Sequence, residues 1–329
     1  MGFIHEIKRI QFLNRQACIC LQNENGPCPL LALVNVLLLR GTLELRPADR
    51  TEISSEELVE LIANYIIEKN PPLADPIAQT NLQRTIDDVI QILPSLQKGL
   101  DVNVRFSEVT SFEFDSRIAV FDLLDVSMYH GWILDPQDEE TTSAIGACSY
   151  NQLLDKIIST STEESSPDLA RKLHESEVVK GFLANTASQL TYYGLLQLHE
   201  KVRERQLCVF FRNNHFNCMF KIDGSLYLLV TDQGYKLNTA IGWEMLNEID
   251  GNTTMVSPSF GDPNEYINLV SEFGRAPSEQ DKADELLAKQ LQQDEQRRAN
   301  RPPPAQSRPN NNRREQKKEP GAFDDCTIS

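Results

Sequence analysis

A cysteine that follows a Gly-Pro turn at the start of an apolar segment is the residue of this chain best suited to nucleophilic chemistry. Gly26 and Pro27 precede Cys28, and Pro29 follows it. Because proline restricts the residue before it and fits the first helical turn, the pattern predicts a turn that ends near Cys28 and a helix that begins there. The positive end of a helix favours a thiolate, so we expect a reactive thiol with a lowered pKa. The alternative is a buried, inert core cysteine.

A thiol nucleophile needs a base to move its proton, and histidine is the usual base. Three of the five histidines are less suitable, because two lie in polar predicted helices and one in the N-terminal strand: His174, His199 and His5. His130 and His215 remain. We favour His215, because it begins a strand of an apolar sheet that would hold the ring rigidly. His130 precedes a Gly-Trp pair and fits a turn or a binding surface instead.

Two further groups complete such a site, a donor for the developing oxyanion and a residue that orients the base. Gln22 lies six residues before Cys28 on the strand that leads into the turn, and its side-chain amide can serve as the donor. A surface glutamine is the alternative. The orienting group is open among the three polar residues Thr231, Asp232 and Gln233.

Composition narrows the class of protein. The chain has 329 residues, 40% of them hydrophobic, and a net charge of −16. An acidic body argues against nucleic acid as a ligand. The sequence shows neither a signal peptide nor an apolar run long enough to span a membrane. Its seven cysteines are scattered, as in proteins of a reducing compartment. We therefore expect a cytoplasmic or nuclear protein. Cys18 and Cys20 lack zinc-site spacing, and we expect no metal or cofactor.

The pattern of elements predicts an α+β fold. Strands are predicted at 3–12 and 16–22, and helices at 28–39, 54–69, 81–92, 150–158, 167–183 and 193–204. Strand-like segments follow at 101–106 and 118–124. The strongest β signal is a set of three runs at 207–211, 216–222 and 226–231. Asn213-Asn214 and Asp223-Gly224 are predicted to be the turns that join these three strands.

Several longer motifs, taken together, resemble the MINDY family of deubiquitinases over roughly residues 1–275. They occur in the family's order and comprise residues 22–41, 129–132, 149–153, 189–195, 210–216 and 229–234. The resemblance implies a papain-like cysteine protease core with a helical subdomain. It also implies Cys28 as nucleophile, His215 as general base and Gln22 as oxyanion donor, with polyubiquitin of the lysine-forty-eight linkage trimmed from the distal end.

By the same resemblance, a set of residues matches positions that contact the distal ubiquitin: Asp101, Val102, Trp132, Tyr150 and Phe211. Their alternative role is ordinary packing, since aromatic residues are often semi-buried.

The C-terminal region fits the branch of the family with a ubiquitin-binding helix and a lipid-anchor-like tail. A charged helix is predicted at 279–298, with Leu287, Ala288 and Leu291 on one narrow face, and it resembles the MIU ubiquitin-binding helix. A disordered tail is predicted at 299–329. Residues 297–318 carry eight basic residues and one acidic residue, and Cys326 begins a terminal C-a-a-X box that predicts prenylation and membrane contact.

Two other functions remain open at this point. One is a catalytically inactive ubiquitin-binding adaptor, tethered to a membrane or not; the other is an RNA- or membrane-tethered scaffold that uses the basic tail. The joint presence of the three site residues favours a monomeric thiol hydrolase acting on polyubiquitin.

Overall fold

Two sheets contact one buried helix, and this arrangement carries the candidate site. The computed structural model describes residues 3–23, 26–162, 168–251 and 253–273. The smaller sheet has the strand order β2-β1-β3, with both pairs antiparallel, and consists of β1 (Ile4–Phe12), β2 (Arg15–Cys20) and β3 (Glu52–Ser54). Helix α1 (Cys28–Arg40) contacts β2 of this sheet and β5 and β6 of the larger one.

The larger sheet has six strands in sequential order. They are β4 (Met128–His130), β5 (Leu207–Arg212), β6 (His215–Ile222), β7 (Ser225–Leu229), β8 (Trp243–Met245) and β9 (Thr254–Val256). Strands β4 and β5 are parallel, and every other neighbouring pair is antiparallel. The turns at Asn213-Asn214 and Asp223-Gly224 have positive φ at both residues, as two-residue hairpins require. The sequence prediction for these three strands and two turns is confirmed.

Helix α1 is apolar on all sides because it is enclosed on all sides. Eleven of its thirteen residues are buried. Asn35, the one polar residue of the buried run, receives a hydrogen bond from Cys20 N (2.7 Å) and donates one to Cys20 O (3.0 Å), which fixes the helix to β2. Gly41 ends the helix in the left-handed conformation (φ 74°).

The other helices surround this core. They are α2 (Ser55–Lys69), α3 (Pro76–Ile92), α4 (Ala119–Leu123), α5 (Glu139–Ile145), α6 (Tyr150–Thr162), α7 (Leu169–Asn185), α8 (Tyr192–Lys201) and α9 (Pro263–Phe273). The predicted capping box is present, since Ser54 and Glu57 each bond the other's backbone. The main chain of helix α8 at Gly194 lies directly against the main chain at Gly131. A Cβ at Gly194 would lie 1.8 Å from Gly131 O.

Some sequence predictions were wrong. Residues 118–124 are not a strand, because Asp115 accepts a hydrogen bond from Arg117 N and starts a helical turn that continues into α4. Residues 101–106 make only single bridges, at Val104 and Arg105. Helix α3 begins at Pro76, earlier than the predicted 81, because Asp75 caps it. The short strands β3, β8 and β9 and the helices α5 and α9 had not been predicted.

The chain divides at Phe273, and the first unit, Met1–Glu272, contains both sheets. The domain boundary expected at 275 stays a prediction. The predicted helix at 279–298 and tail at 299–329, with Leu287, Ala288, Leu291 and Cys326, lie outside the described residues. Within the described part of the chain, none of the helices is both long and apolar enough to cross a bilayer.

Candidate active site

The turn into Cys28 is built as its sequence indicates. Pro27 precedes the helix with φ −76° and ψ 78°, and Pro29 lies in the first helical turn. The N–H of Cys28 donates to Gly26 O at 2.9 Å. A Cβ at Gly26 would lie 2.7 Å from Asn23 Oδ1, so the turn leaves little space for a side chain there. Cys28 is therefore the first residue of α1, as predicted.

The ionisation of Cys28 differs from the expectation. Its side chain is half-buried, and burial raises the pKa of the Cys28 thiol above its ordinary value. The N–H groups of Phe216 and of Cys28 itself act in the opposite direction on this pKa, but burial outweighs them. The expected lowering was wrong because β5 and β6 pack against α1 and remove part of the water from around the Cys28 side chain.

His215 is the first residue of β6 and is half-buried, as its position after the Asn213-Asn214 turn predicts. Burial lowers the pKa of the His215 imidazole, and a hydrogen bond from its ring to the Asn217 side chain partly offsets this. Residues two apart on a strand share a face. That spacing was the available signal for Asn217, which the sequence analysis missed.

The three orienting residues considered from sequence line a cavity of about 670 Å³ together with His215 and Asn217. Two of the three are engaged elsewhere. Asp232 accepts a hydrogen bond from Gly234 N at 2.6 Å, and Gln233 Nε2 donates to Glu6 at 2.7 Å. Asn217 is the side chain that acts on the His215 ring, and an orienting role for Thr231, Asp232 or Gln233 stays a prediction.

Gln22 lies beside the nucleophile turn. Its side-chain Nε2 donates to Gly26 O at 3.1 Å. The same carbonyl accepts the hydrogen bond from Cys28 N. An amide nitrogen has two hydrogens, and the second can serve an oxyanion. The Gln22 backbone pairs with the chain after β7, through Gln22 N to Thr231 O (2.6 Å) and Gln233 N to Gln22 O (3.0 Å).

His130 is a structural residue and lines no surface. It is 1% exposed, its Nε2 lies 3.1 Å from Ser111 O, and its Nδ1 accepts from Trp132 N at 3.2 Å. Burial lowers the pKa of His130 to about 4, so the ring is neutral at physiological pH. His5 is buried as well, between Ser55 Oγ (2.8 Å) and Leu21 O (3.3 Å).

The five predicted ubiquitin-contact residues differ in exposure. Asp101 is exposed, and Val102 and Tyr150 are half-buried. Trp132 and Phe211 are only 5% and 4% exposed, so they offer a partner little surface. The Trp132 ring packs against Tyr150 with centroids 5.5 Å apart, and the Phe211 ring packs against Phe216 at 4.9 Å. These two residues support their neighbours, and ubiquitin contact stays a prediction for all five.

The described residues contain no group of three or more His, Cys, Asp and Glu side chains that could hold a metal ion. They place the Cys28 thiol at the start of α1, the His215 imidazole at the start of the neighbouring β6, and the Gln22 amide on the turn before Cys28. This set can form and break an acyl-thioester.

Comparison with known proteins agrees with this chemistry. A family model described as MINDY deubiquitinase matches residues 4–260. The chain is 46% identical to mouse (Mus musculus) ubiquitin carboxyl-terminal hydrolase MINDY-2 over 257 residues, which are 78% of this chain and 42% of that protein. It is 41% identical to human (Homo sapiens) ubiquitin carboxyl-terminal hydrolase MINDY-1 over 271 residues, 82% of this chain and 55% of the relative. The aligned part thus spans about half or less of each relative's length. The chain belongs to the MINDY deubiquitinase family.

Proposed function

We propose that this chain is a cysteine deubiquitinase that hydrolyses the isopeptide bond between the C-terminal glycine of one ubiquitin and a lysine of the next. One observation carries the proposal: helix α1, which begins at Cys28, packs against strand β6, which begins at His215. Membership of the MINDY deubiquitinase family supports the same substrate class.

In the first half of the proposed reaction, His215 accepts the proton of the Cys28 thiol and the sulfur attacks the glycine carbonyl carbon. The carbonyl oxygen becomes an oxyanion, which the Gln22 side-chain amide and a backbone N–H stabilise. When the C–N bond breaks, the His215 imidazolium gives its proton to the lysine amine, which leaves. A thioester between ubiquitin and Cys28 remains.

In the second half, His215 takes a proton from water, and the resulting hydroxide attacks the thioester carbonyl. The C–S bond breaks, the His215 imidazolium returns its proton to the sulfur, and the carboxylic acid of ubiquitin leaves and loses its own proton to water. Asn217 favours the protonated ring, since its hydrogen bond raises the pKa of His215. The chain's own residues supply every proton transfer in this scheme.

The finer substrate proposal is polyubiquitin of the lysine-forty-eight linkage, trimmed from the distal end. It is supported by the motif resemblance and by the exposure of Asp101, with Val102 and Tyr150 half-buried. The segment 279–298, with Leu287, Ala288 and Leu291, would add a second ubiquitin contact and raise the local concentration of the chain.

We further propose a monomer in the cytoplasm or nucleus, with membrane contact through a prenylated Cys326. The C-a-a-X box at Cys326 and the basic residues of 297–318 support it. One prenyl chain binds membranes weakly, so the basic segment would supply the second attraction.

The test uses the purified full-length chain and ubiquitin tetramers of each linkage. We expect cleavage of the lysine-forty-eight chains, with monoubiquitin as the first small product, and a covalent adduct with ubiquitin bearing a C-terminal electrophile. Cys28→Ala should abolish both. Cys18→Ala is the matched control, because Cys18 is also half-buried but lies on β2 away from the helix start.

Failure of the wild-type chain to cleave any linkage or to react with the probe would refute the hydrolase. Binding of ubiquitin chains without cleavage would point to the adaptor. Cleavage of another linkage in preference would refute only the finer substrate proposal.

A further inference from the structure

A buried lysine of strand β1 bonds the chain that borders the site. Lys8, on β1, is 4% exposed, and its Nζ donates to three main-chain carbonyls: Tyr235 O (2.9 Å), Asn238 O (2.8 Å) and Ile241 O (2.8 Å). Burial lowers the pKa of Lys8 to about 8, so at neutral pH the group is still an ammonium ion with three donors. Burying a charged group is unfavourable unless its donors have hydrogen-bond acceptors. Here three carbonyls accept from the Lys8 ammonium.

The three carbonyls belong to one segment, residues 231–241, which links β7 to β8. Apart from one 3-10 turn at Gln233–Tyr235, the segment has no regular secondary structure. Besides internal hydrogen bonds such as that from Asn238 N to Tyr235 O, carbonyls of the segment accept from donors outside it. Lys8 supplies them at the far end of the segment. Along its outer side, Glu6 accepts from Gln233 (2.7 Å) and pairs with Lys236.

The near end of the same segment is paired with Gln22. Thr231 O accepts from Gln22 N, and Gln233 N donates to Gln22 O. Thr231 and Tyr235 also line the cavity that contains His215. One segment thus connects the Lys8 ammonium at one end to the backbone of the proposed oxyanion donor at the other.

We propose that Lys8 is a positioning residue, which holds the 231–241 segment against β1 and through it fixes the backbone of Gln22 beside the nucleophile turn. The kinetic part of this proposal rests on the proposed hydrolase activity. The positional part concerns the folded chain alone.

The positional part is tested by amide hydrogen exchange on full-length Lys8→Met. We expect the Gln22 and Gln233 amides to exchange about tenfold faster or more, since each donates within the pairing that Lys8 supports. The matched control is Arg9→Met. Arg9 is the next residue of β1 and also donates to a main-chain carbonyl, Ala48 O at 2.7 Å, but outside the segment. Equal exchange at Gln22 in the two variants would overturn the proposal.

The kinetic part is tested by a double-mutant cycle. Lys8→Met should lower kcat about tenfold and leave KM within about twofold. A displaced oxyanion donor weakens stabilisation of the transition state more than it weakens substrate binding. On a Gln22→Ala background the same change should lower kcat by less than about twofold. A merely structural role would lower kcat equally on both backgrounds, and that result would overturn the proposal.

If Lys8→Met does not fold, Lys8→Gln replaces it. This change removes the ammonium charge and leaves an amide with two hydrogens in place of the three donors to Tyr235 O, Asn238 O and Ile241 O. We again expect faster exchange of the Gln22 amide and a loss of kcat that depends on the Gln22 side chain. Both effects should be smaller than in Lys8→Met. No change at the Gln22 amide in this variant would also refute the proposal. A wild-type chain without activity would refute the hydrolase function, and the exchange data would still decide the role of Lys8.

Discussion

Cys28 is the first residue of helix α1 and His215 is the first residue of strand β6, and these two elements pack against each other. The nucleophile and the base are therefore carried by neighbouring elements. Burial acts on both side chains in the direction of the neutral form, since it raises the pKa of Cys28 and lowers the pKa of His215. Burial of the two side chains therefore acts against a thiolate–imidazolium pair in the free protein.

This relationship predicts how alkylation of Cys28 depends on pH. A thiolate–imidazolium pair would react with iodoacetamide at nearly constant rate from mildly acidic to neutral pH. Because the pKa of Cys28 is raised, we expect the rate to climb steadily from pH 6 to above pH 9, without a plateau below pH 8. Mass spectrometry of the peptide containing Cys28 gives the rate. A plateau on the acid side would show that the ion pair forms at rest.

The contact between Asn217 and His215 predicts opposite effects of two substitutions. The hydrogen bond raises the pKa of His215, so Asn217→Ala should lower that pKa and move the acidic limb of kcat/KM to lower pH. The rate should also fall about tenfold or more, because the ring loses its orienting partner. Asn217→Asp places a carboxylate there, which favours the imidazolium and should move the limb to higher pH. NMR titration of the His215 ring checks both shifts without turnover. Shifts of the same sign would contradict the contact.

What the sequence predicts well is local in the chain. The Asn213-Asn214 turn, the cap at Ser54 and the helix start at Cys28 each depend on neighbours within a few residues, and each is confirmed. The failures involve contacts between distant parts of the chain. Burial reverses the expected pKa shift of Cys28, and the carbonyls that Lys8 bonds lie more than 220 residues away along the chain. Neither follows from spacing.

The close contact between Gly194 and Gly131 predicts a contrast between two glycines. A Cβ at Gly194 would lie 1.8 Å from Gly131 O, so Gly194→Ala must push α8 away from the residue after β4. We expect a loss of about 2 to 3 kcal/mol in the free energy of unfolding. At Gly181, inside α7, a Cβ would meet no atom within 4 Å, and Gly181→Ala should stabilise by about 0.5 to 1 kcal/mol. Urea unfolding measures both, and equal effects would contradict the packing.

Burial of His130 predicts a specific loss of stability in acid. Its pKa is about 4 in the folded chain and 6.5 ordinarily, so below pH 6.5 the unfolded chain binds a proton that the folded chain does not. Stability is therefore complete above pH 6.5 and falls as the pH drops to about 4, by about 3 kcal/mol from this group alone. His130→Gln has no such proton to bind. As the pH is lowered from 7 to 4.5, the free energy of unfolding should therefore fall more for the wild type than for this variant. His174→Gln is the control, because His174 is an exposed partner of Glu140 at 2.9 Å and its removal leaves the buried ring in place. A pH-independent difference for His130→Gln would mean that the ring takes up its proton without unfolding.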